Sequence, residues 1–215
     1  MAEECVIKPL PDAPAQAAAL VLTRLMRLQQ IAGGFVPVFD EGGKLAQVYA
    51  IPDGEKLLMV VEQINQALAS EQKVIVWCRF LWEIEQLVSY LTKCRVPAVA
   101  YVGSMKPEDR QAAVDSIQNG PTKVFVGQVN TGGIGITLTA ASTIIFMSNS
   151  FSLGDRLQSE DRAHRIGQKK NVTIIDVVCR RSIDSFVMRT LRNKKSVADV
   201  VTGDNLRVLL KESQL

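Results

Sequence analysis

Along most of this chain, short runs of consecutive apolar residues alternate with longer stretches whose apolar positions recur every three or four residues. From Ala13 to Ala32 the stretch APAQAAALVLTRLMRLQQIA has that helical spacing. Pro14 stands near its start and Gly33-Gly34 past its end, so a helix with ordinary start and stop signals is predicted. FVPVFDEGGKLAQVYAI follows and predicts a small hairpin turning through Asp40 to Gly43. After Gly54, EKLLMVVEQINQALAS predicts a second helix. Five apolar runs come next: KVIVWC from Lys73, PAVAYV from Pro97, KVFVGQ from Lys123, TIIFMS from Thr143 and VTIIDVV from Val172. Amphipathic stretches lie between most of them, around Trp82 to Thr92, from Pro107 onward, and from Leu153 to Ile166. Strands that do not alternate are buried on both faces, so this order predicts an α/β domain with a mainly parallel sheet, helices on both sides and right-handed crossovers. In such sheets ligands collect beyond the carboxyl ends of the strands. Here those ends lead into RF after Cys78, GSMK after Val102, VNTGGIG after Gln128 and SNSFS after Met147.

Composition narrows the setting without naming a function. The 215 residues suffice for one full-sized domain, and 47% hydrophobic with 22% charged residues is ordinary for a soluble protein. No stretch approaches the roughly 18 apolar residues of a membrane span. MAEECVIKPL also lacks the basic flank and apolar run of a secretory signal, so a cytoplasmic protein without membrane contact is expected. Cys5, Cys78, Cys94 and Cys179 show no CxxC spacing and read as reduced thiols. With one histidine in the chain, a histidine-based metal cluster is excluded, and no metal site is expected. Asn171-Val172-Thr173 fits a glycosylation pattern but reads as the start of a strand. A net charge of +3 is too small to announce nucleic-acid binding, so such contact would need local clusters. Arg162, Arg165, Lys169 and Lys170 form one, and Arg180, Arg181, Arg189, Arg192, Lys194 and Lys195 another, with an ordinary basic face as the alternative.

Three features bear on chemistry. In QVNTGGIGITLTAA a glycine-rich turn follows a strand, and glycine lets backbone amides approach phosphate closely. Gly133 and Gly135 match the first two glycines of a dinucleotide fingerprint, but Leu138 takes the third place, which leaves a cofactor loop and a plain tight turn both open. No GxxxxGK[ST] occurs, so the chain does not cradle a triphosphate in the P-loop manner by itself, and VPVFDE reads as part of the hairpin. On a helix from Leu153 to Ile166, Gln158, Arg162 and Arg165 would lie along one face. Two guanidiniums one turn apart repel unless anions face them, and each is a fork suited to phosphate. A solvated face paired with Glu160 and Asp161 is the alternative, and His164 reads as a structural hydrogen-bonder. A parallel-sheet domain with a glycine-rich loop and an arginine pair, but no P-loop, has the parts of the second half of a two-lobed phosphoryl-transfer motor. One lobe of such a motor binds ATP and the other supplies arginine fingers, worth roughly 10³–10⁵ in rate.

DRLQSEDRAHRIGQKKNV resembles motif VI of the Swi/Snf-type ATPases of helicase superfamily 2. KVIVWCRF resembles their motif IV, and YVGSMKPEDRQAAVDSIQNG the segment where DGS precedes a helix. VNTGGIGITLTAASTIIFM resembles motif V, VTIIDVVCRRSIDSFVMRTLRNKK the bracing tail, and LTRLMRLQQIAGGF the segment preceding the second lobe. The wording is most similar to the phage and bacterial branch. The resemblance implies a RecA-like three-layer α/β/α lobe over 54–180, an N-terminal helix and hairpin extension over 1–53, and a C-terminal helical brace over 181–215. It further implies a DNA translocase or helicase-like ATPase, with ATP and Mg2+ held mainly by an absent first lobe of the same or a companion chain. Arg162 and Arg165 match the catalytic arginines facing the ATP phosphates, and Gln158, Gly133 and Gly135 the nucleotide-cleft positions. Ser104 and Thr137 match positions on the backbone of double-stranded DNA, and Arg79 is added to that track from its place after the first strand. By this reading the chain alone neither holds ATP tightly nor hydrolyses it. A non-catalytic DNA-binding or regulatory module retaining the fold is the alternative; a Rossmann oxidoreductase would instead carry a nicotinamide cofactor. The chain departs from the family wording at Val102, Asn130, Thr137, Ser148 and Phe151.

Overall fold

The computed structural model describes residues 14–51, 54–133 and 135–193. Cys5, Lys194, Lys195 and the part of the expected brace beyond Asn193 lie outside the described residues. Helix α1 (Pro14–Ala32) leads into an antiparallel hairpin, β1 (Phe35–Phe39) and β2 (Leu45–Ala50). Its turn is held by the Asp40 carboxylate, which accepts from the Lys44 amide at 2.8 Å, as an aspartate in a turn should. Then come α2 (Glu55–Ala69), β3 (Lys73–Cys78), α3 (Leu81–Lys93), β4 (Ala98–Tyr101), α4 (Pro107–Asn119) and β5 (Val124–Gln128). A 3₁₀ turn (Val129–Gly133) precedes β6 (Ala141–Phe146), α5 (Leu153–Glu160), β7 (Thr173–Asp176) and α6 (Ile183–Arg192).

The five strands β3 to β7 form one parallel sheet in the order β4-β5-β3-β6-β7. Because side chains alternate across a strand, the wholly apolar β3 feeds two cores at once. Val74, Val76 and Cys78 pack with Val60, Ile64, Ile84 and Leu87 of α2 and α3 on one face. Ile75 and Trp77 pack with Ala113 and Ile117 of α4, together with Phe125 and Phe146, on the other. The predicted α/β/α layering is therefore present. A third, smaller core joins the two ends of the described chain: Leu25 of α1 meets Ile183, Val187 and Leu191 of α6, with Phe151 between them.

One close approach fixes the end of β5 that leads to the glycine-rich turn. Trp77 and Gly127 are partners across β3 and β5, and a Cβ placed on Gly127 would stand 2.4 Å from the indole. The fully buried Trp77 covers the glycine and packs edge-on against Phe125. Gly127→Ala is expected to destabilise the domain by about 1–3 kcal/mol through overpacking. A urea unfolding curve checks this, and an unchanged midpoint would contradict it.

Candidate functional site

Helix α5 starts where Ser152 caps it, its hydroxyl accepting from the Asp155 amide at 3.2 Å. It stops at Glu160, not at Ile166 as the spacing suggests. The ladder runs out within one turn, because the Arg162 and Ala163 carbonyls that would extend it accept from Leu138 N and the Gln168 side chain. The Ala163 and His164 amides converge on the Glu160 carbonyl at 3.2 and 3.0 Å, and the Arg162 carbonyl accepts from Leu138 N at 2.8 Å. Gln168 completes the change of direction: its side-chain amide donates to the carbonyls of Thr139, Ala141 and Ala163 at 3.1, 2.8 and 3.3 Å. Gly167, at φ 104°, supplies the left-handed step between them. Gln158, Arg162 and Arg165 therefore do not share a helix face. Gln158 is exposed on α5, whereas the arginines sit on a turn pinned by buried Ala163.

The turn still brings the two arginines together. Arg162 is buried at 7% exposure, and Arg165 is exposed. Burial lowers the Arg162 guanidinium from its ordinary range, and the charge of Arg165 lowers it further, against the opposing pull of Tyr101 and Asp161. The Arg165 Nη1 donates to Thr137 Oγ1 at 3.1 Å and lies 3.5 Å from the Gly135 carbonyl oxygen. Arg165 is thereby tethered to the segment that follows the 3₁₀ turn, and α5 packs against that turn. A Cβ on Gly135 would meet nothing within 4 Å, so space is open beside it. Two like charges on one turn, one of them exposed beside an open glycine segment, fit an anionic phosphate chain.

The other expected positions divide. Ser104 is exposed in the β4–α4 loop, and the Cβ position of neighbouring Gly103 is 3.9 Å from Thr131 of the 3₁₀ turn. Thr137 is half-buried as the partner of Arg165. Arg79 departs from an outward role. Its guanidinium is half-buried, bonds the side-chain carbonyl of Gln29 on α1 and lies over the Phe80 ring at 5.4 Å. Gln29 in turn donates to the Asn149 carbonyl at 2.9 Å, so one side chain of α1 bonds the segments that follow both β3 and β6. His164 is exposed, with its amide in the turn. Ser148 and Phe151, which depart from the family wording, serve the interior here: Ser148 donates to Glu83, and Phe151 stacks edge-on with Phe186. Cys78 is buried, Cys179 half-buried and Cys94 exposed, all as free thiols. Among the described residues no cluster of three His, Cys, Asp or Glu side chains could hold a metal, and no helix is long and apolar enough to cross a membrane.

Glu83 is a titratable group that sequence inspection did not single out. It is fully buried at the start of α3, and its Oε1 has no hydrogen-bond partner. Burial raises its carboxyl above the ordinary range, partly offset by Lys56, Ser148 and the Phe80 amide. A raised folded-state value means the native state binds the proton more tightly than the unfolded chain. The associated stability is therefore full below the ordinary carboxylate range and lost as pH rises through the raised value. Glu83→Gln is expected to raise the melting temperature at neutral pH, with the gain fading as pH falls toward the ordinary glutamate value. A gain that grows on acidification would contradict this.

Comparisons with known proteins agree with the fold. Residues 55–167 match the family model described as helicase conserved C-terminal domain. The chain is 32% identical over 154 residues to the chromatin-remodeling ATPase INO80 of Mycosarcoma maydis, covering 71% of this chain and 8% of that protein. It is 35% identical over 138 residues to the TATA-binding protein-associated factor mot1 of Schizosaccharomyces pombe, covering 62% and 7%. Chromodomain-helicase-DNA-binding protein 1-like of Mus musculus is 37% identical over 99 residues, 46% of this chain and 11% of that protein. The chain thus spans about a tenth or less of the length of these relatives. None of the three comes from a phage or a bacterium, so they lend no support to that branch. The fold matches the crystal structure of the C-terminal part of the Fun30 ATPase domain with a TM-score of 0.60 and 24% identity, over 74% of this chain and 51% of that one. The glycine-rich turn, the arginine turn and strands β3 to β6 thus fall within the matched span, and the chain belongs to the helicase conserved C-terminal domain family, with its resemblance to the Swi/Snf-type ATPases.

Proposed function

We propose that this chain acts as the second motor lobe of a DNA-dependent ATPase of Swi/Snf type, a translocase or helicase-like enzyme. A first lobe, in the same or a companion chain, holds ATP and Mg2+, and this lobe presents Arg162 and Arg165 to the phosphates. The observation that carries the reading is the pairing of a buried and an exposed arginine on one turn, tied to the segment after the glycine-rich loop by Arg165–Thr137 and Leu138–Arg162 bonds. Charge developing on a transferring phosphoryl group is stabilised by guanidiniums already in place, because their orientation was fixed during folding. Arg162, buried and anchored, supplies fixed positive charge, and Arg165, exposed and tethered through one nitrogen, keeps the rest of its fork available. Gly133 and Gly135 let the backbone approach, and Gln158 lines the outer side of α5. Ser104, exposed in the loop whose Gly103 faces Thr131, and the hydroxyl of Thr137 suit contacts to the backbone of duplex DNA, which position without reading sequence. Arg79 is committed to Gln29 and is left out of that track.

Adding a first lobe with a Walker A loop to the 215-residue chain, in trans or by fusion, tests the reading. DNA-stimulated ATP hydrolysis is expected in the combination and not in the chain alone. Hydrolysis by the chain alone, or no gain on combination, would count against it; the latter favours a non-catalytic module with the same fold.

A further inference from the structure

Beside the arginine turn lies a residue to which the motif VI resemblance gives no role. Arg156, on the inner side of α5, has a side chain only 11% exposed, and each of its three guanidinium nitrogens donates to a protein group. Nε donates to Glu160 Oε1 at 2.5 Å, one full turn along the same helix. Nη1 and Nη2 straddle the Asp176 carboxylate at the end of β7, with Nη2–Oδ2 at 3.2 Å. Nη1 also reaches Asn149 Oδ1 at 3.0 Å, and Asn149 Nδ2 donates back to Asp176 Oδ1 at 3.0 Å. The guanidinium carbon lies 3.5 Å above the centre of the Phe146 ring, at the end of β6. Phe146 and Asp176 are themselves partners across β6 and β7. One side chain thus joins α5 to the carboxyl ends of two adjacent strands.

From these contacts we infer that Arg156 is a positioning residue for the arginine pair. The inference rests on the reading of Arg162 and Arg165 as the phosphate-facing groups. Arg156 fixes Glu160, and the Glu160 carbonyl receives the Ala163 and His164 amides that shape the turn between the two arginines. That turn carries two like charges, Arg165 disfavouring the charged form of Arg162, so they repel one another across it. The bidentate Arg156–Asp176 fork and its seat on Phe146 hold the base of the turn against that push, while the Leu138–Arg162 bond holds its far side. Arg156 has no part in binding the anion; it sets in advance where the binding groups stand, which lowers the ordering cost on binding.

Titration of the 215-residue chain with inorganic tripolyphosphate at low salt, followed by calorimetry, separates the two claims. Arg165→Ala should weaken binding about tenfold, the loss of one charge-assisted contact. Arg156→Gln and Asp176→Asn should each weaken it about threefold or more. Arg156→Lys, which keeps the charge but not the fork, should fall between Arg156→Gln and wild type. Asp176→Asn is the decisive variant. It makes the protein one unit more positive, so a purely electrostatic or unrelated role predicts tighter or equal binding, whereas loss of positioning predicts weaker binding. Weaker binding by Asp176→Asn, with a retained cooperative melt, supports the inference. If Arg165→Ala binds weakly while Asp176→Asn binds as wild type or better, the inference is overturned and the reading of the arginines stands. If the wild-type chain binds no tripolyphosphate, or Arg165→Ala binds as well as wild type, the reading fails and the inference fails with it.

Discussion

Replacing Arg165 by alanine is expected to lower DNA-stimulated ATP hydrolysis by the assembled two-lobe enzyme by about 10³-fold or more, the scale of a lost arginine finger. The fall should appear mainly in kcat, with KM for ATP rising no more than about tenfold, because the other lobe holds most of the nucleotide and the arginine acts chiefly on charge that develops during transfer. Arg165→Lys should recover only part of the rate. A lysine keeps the charge, but its ammonium cannot bond Thr137 and a phosphate oxygen with the fixed fork that Arg165 presents. The exposed position of Arg165 makes this the cleaner variant of the pair. Arg162 is buried at 7% exposure, so its removal would disturb packing as well as charge. Steady-state kinetics with saturating duplex DNA checks the result, and a rise in KM at constant kcat would place Arg165 in ground-state binding instead.

The largest effect on stability is expected at the buried pair between α2 and α6. Lys56 Nζ and Asp184 Oδ2 are 2.6 Å apart, with side chains 3% and 8% exposed. The same carboxylate oxygen accepts from the Cys179 amide at 3.2 Å. Asp184→Ala would leave the Lys56 ammonium buried with only the nearby Glu83 carboxylate for compensation. Removing one partner of a buried pair costs about 3–5 kcal/mol, and Glu83 should bring the cost toward the lower end. For a chain of this size that corresponds to a fall in melting temperature of roughly 10 °C. The double variant Lys56→Met, Asp184→Leu should recover much of the loss, since no uncompensated charge remains. A single variant that melts like wild type would show that water reaches Lys56.

How much of this was legible in the sequence follows from where each partner lies along the chain. The uninterrupted runs at Val74–Cys78 and Val124–Val126 announced doubly buried strands, because nothing else explains apolar side chains on both faces. The hairpin was equally legible, since Asp40 and Lys44 close its turn locally. The end of α5 was not. Its apolar and charged spacing continues to Ile166, but Leu138 and Gln168 divert the backbone bonds that a longer helix would need. The arginine pair stands out by residue type, but its spacing points to a helix face, whereas the structure places both residues on the turn after α5. Arg79 was found by its position after a strand, but its direction depends on Gln29 of α1, which arrives through tertiary packing. Arg156 carried one local signal, its spacing of four from Glu160, which reads as an ordinary surface pair. Its other partners, Asn149, Phe146 and Asp176, converge only once β6 and β7 pair.

In the proposed function this lobe stabilises the transferring phosphoryl group through Arg162 and Arg165. The most direct measurement is association of the chain with a Walker A lobe loaded with ADP, Mg2+ and aluminium fluoride, a mimic of that group in transfer. Transition-state mimics bind a complementary site far more tightly than ground-state ligands do. The wild-type chain is expected to associate more tightly with the mimic than with ADP alone, and the Arg165→Ala chain to lose that difference. Equal association of the two chains, with and without the mimic, would contradict the account.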